Sequence, residues 1–574
     1  MRSLLHSSAV ACLAAAVLAP CWLPAASMDD NNWWRRAVIY EVYPRSFGDS
    51  NGDGIGDLNG ITENLDYLKA LGVDAIWITP FYPSPQVDFG YDISDYRGID
   101  KQFGTMADFD KLMAEAKKRN IRVLNDMVLN HSSDKHPWFI ESASSRNNPK
   151  ADWYIWKDGK PGGQPPNNWQ SEFGHSAWQY VPARKQFYYH RFYKEQPDLN
   201  WENSDVRKAM YDVCRFWMAK GVAGLRLDAI TSLFEDIALR DDAYLAGPEA
   251  GLDAFGERKR KRVYTDNLPK VHDVLRELRK VTDEYPGCVL IGETYVPNVG
   301  ELAKMYGSTN DELQLPMDTQ FGFINRLAVS EFRQKLADAE TKLNGNVPLF
   351  VFENHDNSRS INRYGDGKHN AEIARLLATL LLTPRDAALI YYGEEIGMVD
   401  HPPAHIEDVR DPVGRTGWPK DKGRDAERTP MQWNAGVNAG FSAGKSTWLP
   451  VGSDYKTVNV AAQEKDPNSL LSYYKKLIDL RKTNPQLRDG DFIPIDDSSN
   501  TVLSYLRKTK DGRAVLVALN FTASPQAINV SDARGVSGKH AKTILVSYPN
   551  ARETNDLSHI NLQPYGAYIG QLEP

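Results

Sequence analysis

The chain has 574 residues, of which 41% are hydrophobic and 25% charged, with a formal net charge of -7. That length exceeds one ordinary domain and can bury a sizeable core. The weak negative balance excludes a basic field for nucleic acid, and no sustained acidic tail is present.

The first residues read as an export signal. Arg2 gives a positive start, residues 9–18 form a short apolar run, and "PAAS" places small residues before Met28. The run is too short to span a membrane, and its flanks fit a cleavable signal peptide over residues 1–27. A periplasmic or secreted protein is expected. Cys12 and Cys21 fall in that segment. Cys214 and Cys288 remain in the mature chain. Both are expected as free thiols, because Cys214 lies beside Val213 and Trp217 on a helix and neither has metal-ligand company.

From there strands alternate with helices. "AVIYEVYPRSF" (37–47) predicts the first strand. A helix follows with Ile61, Leu65 and Leu68 on one face and Gly72 as its C-cap. "VDAIWITP" is the second strand. A helix from about Thr105 carries Phe109, Leu112, Met113 and Ala116 on one stripe, and "IRVLNDMVLNH" is the third strand. The alternation then stops. Residues 132–201, rich in Trp, Asn, Pro and Gly, read as an inserted subdomain.

The rhythm resumes with a helix carrying Val206, Met210, Val213 and Trp217, closed by Gly221. "GLRLDAI" is the fourth strand, and "CVLIGETY", "DELQLPMDTQ", "PLFVFENHD" and "AALIYYGEEIG" complete eight. Eight strands separated by helices predict an α/β fold, a (β/α)8 TIM barrel built from residues 28–131 and 202–487. A doubly wound open sheet is the alternative, but no G-x-G-x-x-G or Walker motif follows any strand. Residues 488–574 change character. "TVLSYLRKTKDGRAVLVALNF" is a hairpin pattern turning at Asp511 and Gly512, which predicts a C-terminal antiparallel β-sandwich.

In such a barrel, functional side chains sit at the C-terminal strand ends. The third strand ends in Asp126, Asn130 and His131, the fourth in Arg226 and Asp228, the fifth in Glu293, and the seventh in His355 and Asp356. Asp228, Glu293 and Asp356 therefore converge on one mouth. Arg226 and Asp228, two apart in a strand, share a face. A lone pair of this kind is most simply a core salt bridge, but three acids at three strand ends are not packing, since buried like charges are costly.

Glycoside hydrolysis wants two carboxylates, one ionised and one protonated. Arg226 is expected to lower the Asp228 pKa, and an apolar setting to raise that of Glu293. Asp228 then serves as nucleophile and Glu293 as acid/base, about 5–5.5 Å apart if the reaction retains configuration.

"DMVLNH", "GLRLDAI", "GETY" and "ENHD" resemble, in order and spacing, the four signature regions of glycoside hydrolase family 13, the α-amylase family. "QPDLN" (196–200) resembles the extra signature of its oligo-1,6-glucosidase and α-glucosidase branch. The resemblance runs from about Trp33 to the C-terminus. It implies retaining attack on α-glucosidic bonds, with Asp356 holding sugar hydroxyls and stabilising the transition state. It also implies that His131 and His355 hydrogen-bond the sugar and that Arg226 orients the nucleophile. Leu225 departs from the Phe of many members, but faces the barrel exterior.

By the same resemblance, Asp88 of "DFGYD" pairs with an Arg of "RTPMQW", here Arg428. The pair closes the pocket behind one glucose, while Tyr91 stacks on the sugar. Phe173 and Phe192 match pocket-lining aromatics, with subdomain core as the alternative. Such a pocket implies exo action on short substrates. Ala229, after the nucleophile, favours α-1,4 over α-1,6 linkages.

"DSNGDGIGD" (49–57) is oxygen-rich. Asp49, Asn51, Asp53, Asp57 and the Ile55 carbonyl suit Ca2+, or Mg2+, although the twelfth position is Gly60 and not the Glu of an EF-hand. Relatives carry a structural Ca2+ there. No organic cofactor is expected. "ERKRKR" (257–262) reads as a solvated loop.

The expected protein is thus a retaining, exo-acting α-glucosidase with a small α-glucoside as partner, acting as monomer or homodimer, with transglycosylation as a side reaction. A glucosyltransferase, sucrose isomerase or sucrose hydrolase on the same scaffold is the first rival. "NSRSINRYGDG" after Asp356 lacks the arginine- and aspartate-rich loop of the isomerases. A transporter heavy chain is the non-enzyme rival, opposed by three intact acids and a cleavable leader.

Overall fold

The computed structural model describes residues 31–320, 322, 324–495, 499–549 and 552–573. The expected leader, with Cys12 and Cys21, lies outside the described residues. Eight parallel strands close a barrel in chain order: Val38–Val42, Ala75–Ile78, Arg122–Val128, Gly224–Asp228, Val289–Gly292, Leu315–Asp318, Leu349–Val351 and Ala387–Tyr391. Period-two alternation divides each strand. Ile39, Trp77, Leu124, Ile291, Met317 and Leu389 belong to a cluster inside the barrel, while Leu225 and Leu227 pack in the layer shared with the helices. Asp126, Arg226 and Asp228 share the inward parity.

Two local expectations are corrected. The first strand ends at Val42, and Pro44–Phe47 forms a helical turn. Pro44 occupies its first position, where a missing N–H costs nothing. The helix expected around Ile61 and Leu68 is two helices, Leu58–Glu63 and Leu65–Leu71, meeting at Asn64. Gly72 does terminate the second, at φ 98°. Helix Met106–Lys118 starts in a Thr105/Asp108 capping box and buries Phe109, Leu112 and Ala116.

Between the third and fourth barrel strands lie helix Pro137–Ser144 and a three-stranded antiparallel sheet, Trp156–Lys157, Gln186–Tyr189 and Trp178–Val181. Trp169, Trp178, Phe187 and Tyr189 form a small aromatic core there. This insert joins the barrel where Leu199 N–H donates to Asn130 O at 2.9 Å and Asn130 Nδ2 donates to Asp198 Oδ2 at 2.9 Å. After the barrel comes an antiparallel six-stranded sheet that includes the hairpin Val502–Lys508/Ala514–Asn520. A two-stranded piece, Gln526–Ile528 with Ile560–Leu562, supplies Ile560 and Leu562 to that sheet's outer core. Cys214 is buried, Cys288 is partly buried, and both are free thiols. Among the described residues, no helix is long and apolar enough to cross a membrane.

Candidate active site

The C-terminal ends of the fourth and fifth barrel strands meet at Arg226. In register, Arg226 stands beside Asp126 of the third strand and Ile291 of the fifth. Its guanidinium is fully buried, 4.7 Å over the Trp77 ring. Nη1 donates to Asp126 Oδ1 at 3.0 Å and to Asp228 Oδ1 at 2.6 Å. Nη2 lies 2.5 Å from Glu293 Oε1, close but without hydrogen-bond alignment. One cation thus spans the two carboxylates proposed for the chemistry. The Ala229 N–H donates to Glu293 Oε2 at 2.8 Å, from a left-handed backbone at φ 43° that is strained for alanine. Gly292 lets the strand pass there, since a Cβ would lie 2.4 Å from Leu313 Cδ1.

Electrostatics differ from expectation for Asp228. Burial pushes its carboxyl up to about 7, outweighing the opposing effect of Arg226, with Asp126 adding to the rise. Glu293 is likewise pushed up to about 7 by burial, against Arg226 and with the help of Asp228. The expected lowering of Asp228 by Arg226 is corrected: a single buried guanidinium does not offset the desolvation of several acids. Burial thus raises both carboxyls toward neutrality. The aligned 2.6 Å bond from Arg226 favours charge on Asp228, leaving the proton to Glu293.

Asp356 behaves oppositely. Burial would raise its carboxyl, but His355, Arg424, Arg428 and Arg226 hold it well below the usual carboxylate range. Arg428 Nη2 donates to Asp356 Oδ1 at 2.6 Å, and Arg424 Nη1 donates to the same oxygen at 2.9 Å.

The partner of Asp88 is a second correction. Asp88 Oδ1 accepts from Arg424 Nη2 at 2.7 Å, and Arg428 instead binds Asp356 and the His355 carbonyl. Arg424 is in turn held by Asp411, through Nε at 2.8 Å. The other Asp88 oxygen accepts from Gln196, whose amide also reaches His131 Nε2 at 3.0 Å. Asp88 and Arg428 are both buried. Gly90, at φ 114°, makes the tight turn that presents Asp88 and Tyr91, where a Cβ would meet Pro80 O at 2.7 Å.

Tyr91 lies flat on His355, with ring centroids 5.3 Å apart and planes 8° apart. Its hydroxyl contacts Asp126 Oδ2 at 3.1 Å and His355 Nε2 at 2.7 Å, while His355 Nδ1 faces Glu41 Oε1 at 2.6 Å. Burial raises the Glu41 carboxyl well above its usual range and lowers His355 to about 3. Glu41, His355, Tyr91 and Asp126 thus form one buried relay of polar contacts, at whose end the Tyr91 hydroxyl donates to Asp126. His355 is fully buried, so it supports Tyr91 and Asp356 from behind. His131, lowered to about 3 by burial, is neutral and lines the cavity.

The cavity has a volume of about 470 Å3, the size of a small-ligand site. It brings together Asp88, Tyr91, His131, Phe173, Phe192, Asp228, Glu293 and Asp356 from the expected set, while Arg226, His355 and Arg428 stand behind its wall. Phe173 and Phe192 are pocket walls as well as packing partners, 5.6 Å apart. Sequence reasoning missed Arg424, Gln196, Glu172, Arg191, Asp266 and Tyr295. Gln196 stood within the quoted "QPDLN" and Tyr295 within "GETY", but the others carry no local signal. The "ERKRKR" run is also corrected. Arg262 pairs with Glu172 and donates to Ser171 O at 2.8 Å, and Arg260 donates to Asn168 O, so the run ties a barrel loop to the insert.

In the loop 49–57, Asp49 accepts from the Asn51, Gly52 and Gly54 N–H groups, and Asn51 and Asp53 each accept from the N–H two residues on. Asp57 caps helix Leu58–Glu63 and accepts from Ser50. These turns curl the loop, but among the described residues no three His, Cys, Asp or Glu side chains form a metal-holding cluster.

Comparison with known proteins agrees with this geometry. The "Alpha amylase, catalytic domain" family matches residues 41–490, and "Maltogenic Amylase, C-terminal domain" matches 492–569. A probable α-glucosidase of Rhizobium meliloti is 44% identical over 83% of this chain and 87% of its own length. An oligo-1,6-glucosidase of Parageobacillus thermoglucosidasius is 40% identical over 94% and 99%. An isomaltulose synthase mutant of Erwinia rhapontici NX5, solved with sucrose, superposes with TM-score 0.85 at 38% identity, covering 94% of this chain and 99% of that one.

Proposed function

The chain belongs to the α-amylase family and is a glycoside hydrolase of its α-glucosidase branch; on that premise we propose an exo-acting enzyme that releases one glucose with retention from short α-glucosides. The observation that carries this reading is Arg226 touching both Asp228 and Glu293 in a pocket whose other end is gripped by Asp88 and Arg424. Asp228 attacks the anomeric carbon as Glu293 gives its proton to the glycosidic oxygen. The C–O bond to the leaving group breaks and a glucosyl ester forms on Asp228. Glu293, now ionised, takes a proton from water, which attacks the anomeric carbon; the bond from that carbon to the Asp228 oxygen breaks, freeing Asp228 as a carboxylate. Asp356, held ionised, binds sugar hydroxyls throughout.

By the family resemblance, the small Ala229 at the cavity wall supports maltose-like α-1,4 substrates. Transfer of the glucosyl group to a sugar uses the same ester. Similarity to an isomaltulose synthase favours glucosyl transfer or sucrose conversion as a second reading. Purified protein with maltose, isomaltose and sucrose, followed by anomer-resolved NMR, is the test. α-Glucose should appear first from maltose; β-glucose first refutes retention, and inertness on every α-glucoside sinks the reading. Rapid isomerisation of sucrose, with maltose untouched, would select the second.

The paired acids set a pH dependence. kcat/KM on maltose should peak near neutrality, falling above about 7 as Glu293 loses its proton and below about 7 as Asp228 gains one. α-Glucosyl fluoride needs no general acid, so the alkaline limb should be absent for it. A limb of equal size on both substrates contradicts the Glu293 assignment.

We further propose that Ca2+ binds the loop 49–57, supported by its hard oxygen donors Asp49, Asn51 and Asp53, the Ile55 carbonyl and Asp57. Millimolar Ca2+ should raise Tm relative to EDTA-treated protein, and Asp49→Ala should erase the difference. Export rests on the leader-like residues 1–27, and a monomer or homodimer is proposed; N-terminal sequencing of exported protein and light scattering test these.

A further inference from the structure

Opposite the catalytic mouth, at the N-terminal ends of the barrel strands, lies a second cavity of about 370 Å3. Arg35 and Arg36 reach it from the turn Trp33–Arg36 before the first strand, and Arg385 from just before the eighth. Arg488 reaches it from helix Pro485–Asp489, which leads into the C-terminal sheet. Among the described residues, Asp489 is the one carboxylate in its wall. That carboxylate is shared: Arg36 pairs with it, and Arg488 Nη2 lies 2.7 Å from its Oδ2. Arg35 has a neutral partner, donating to Gly345 O at 2.6 Å. Arg385 Nε lies 3.4 Å from Glu340 Oε1 without hydrogen-bond alignment, and burial raises that carboxyl, which works against its charge.

The cationic character continues behind the wall. Arg481 donates to Leu382 O and Pro384 O at 2.9 and 2.8 Å, and Arg507 donates to Thr383 O at 2.6 Å. Both side chains are buried and held by backbone carbonyls, and burial lowers both to about 10. Burial and the like charge of Arg385 also lower Arg35. Crowded, partly buried like charges are costly unless an opposite charge offsets them. The forked guanidinium matches the paired oxygens of a tetrahedral oxyanion. The volume exceeds that of one phosphate and leaves room for a small organic group.

We propose that this cavity is an oxyanion site in which Arg35, Arg385 and Arg488 bind a phosphate group, either free or carried on a small sugar. Bound there, the anion joins the floor of the barrel to the start of the C-terminal sheet. It therefore stabilises the fold from the end of the barrel away from Asp228 and Glu293.

The test is thermal unfolding of the purified protein in phosphate, in glucose 6-phosphate and in sodium chloride at equal ionic strength. Saturating phosphate should raise Tm by about 1–3 °C over chloride. Arg35→Gln combined with Arg385→Gln should abolish the rise while keeping the wild-type circular dichroism spectrum. Arg488 is exposed, so its replacement leaves the core untouched. Arg488→Gln should raise the phosphate Kd, read by isothermal titration calorimetry, about tenfold, as for one charge-assisted hydrogen bond lost. A larger rise with glucose 6-phosphate that the double variant also loses assigns the sugar-borne phosphate, and an equal or smaller one assigns the free ion. A Tm in phosphate that matches the Tm in chloride overturns the proposal. So does a rise that survives in the double variant, or a Kd unchanged in Arg488→Gln.

Discussion

Asp228→Asn should lose roughly three orders of magnitude or more in kcat on maltose, about 4 kcal/mol of transition-state stabilisation. The amide keeps the size of the carboxylate and can still accept from Arg226, so the fourth barrel strand has no reason to shift. What it cannot do is attack carbon and leave as an anion. Arg226 stays compensated, because Asp126 and Glu293 remain within its reach. The variant should therefore fold with a wild-type circular dichroism spectrum and accumulate no glucosyl-enzyme by intact mass. Near-normal turnover would remove Asp228 from the nucleophile role, and gross unfolding would mean that its charge was chiefly structural.

Arg424→Ala should lower kcat/KM on maltose by about two to three orders of magnitude. Its guanidinium holds Asp88 and Asp356 together and is itself fixed by Asp411. Removing one partner of a buried ion pair costs about 3–5 kcal/mol, since the remaining charges are left unpaired. Here the acids left behind are those proposed to grip the glucose, so the loss should appear in KM and kcat together. Arg424→Lys should rescue little, because one ammonium cannot fork to Asp88, Asp356 and Asp411 at once. Arg428→Ala leaves the Asp88–Arg424 contact in place and should cost less. Steady-state kinetics on the three variants, with Tm recorded for each, decide the order. An Arg428 variant more damaged than Arg424→Ala would restore the pairing that the motif alone suggested.

How much of this was legible beforehand depends on the reach of each interaction. Strand identity is a local property. The alternation that sends Arg226 and Asp228 inward and Leu225 and Leu227 outward is written in five consecutive residues, Gly224–Asp228. The same holds for Glu293 after its apolar strand, and for His355 and Asp356 after theirs. Once eight strands were counted, barrel closure alone brought those ends to one mouth. Local breaks such as Asn64 and the Pro44 turn were less visible, because apolar spacing continues across them.

The sequence by itself determined the barrel, the inserted aromatic layer, the C-terminal sheet and the three strand-end acids, because period-two patterning and strand-end placement are short-range rules. Only the tertiary structure decided which arginine grips Asp88. Arg424 and Arg428 lie four residues apart in one loop, and the choice between them rests on how a segment 336 residues downstream of Asp88 folds back. It also decided the direction of the Asp228 shift. That direction is a contest between one guanidinium and the desolvation of every acid around it, and desolvation depends on how completely distant parts of the chain close over the site.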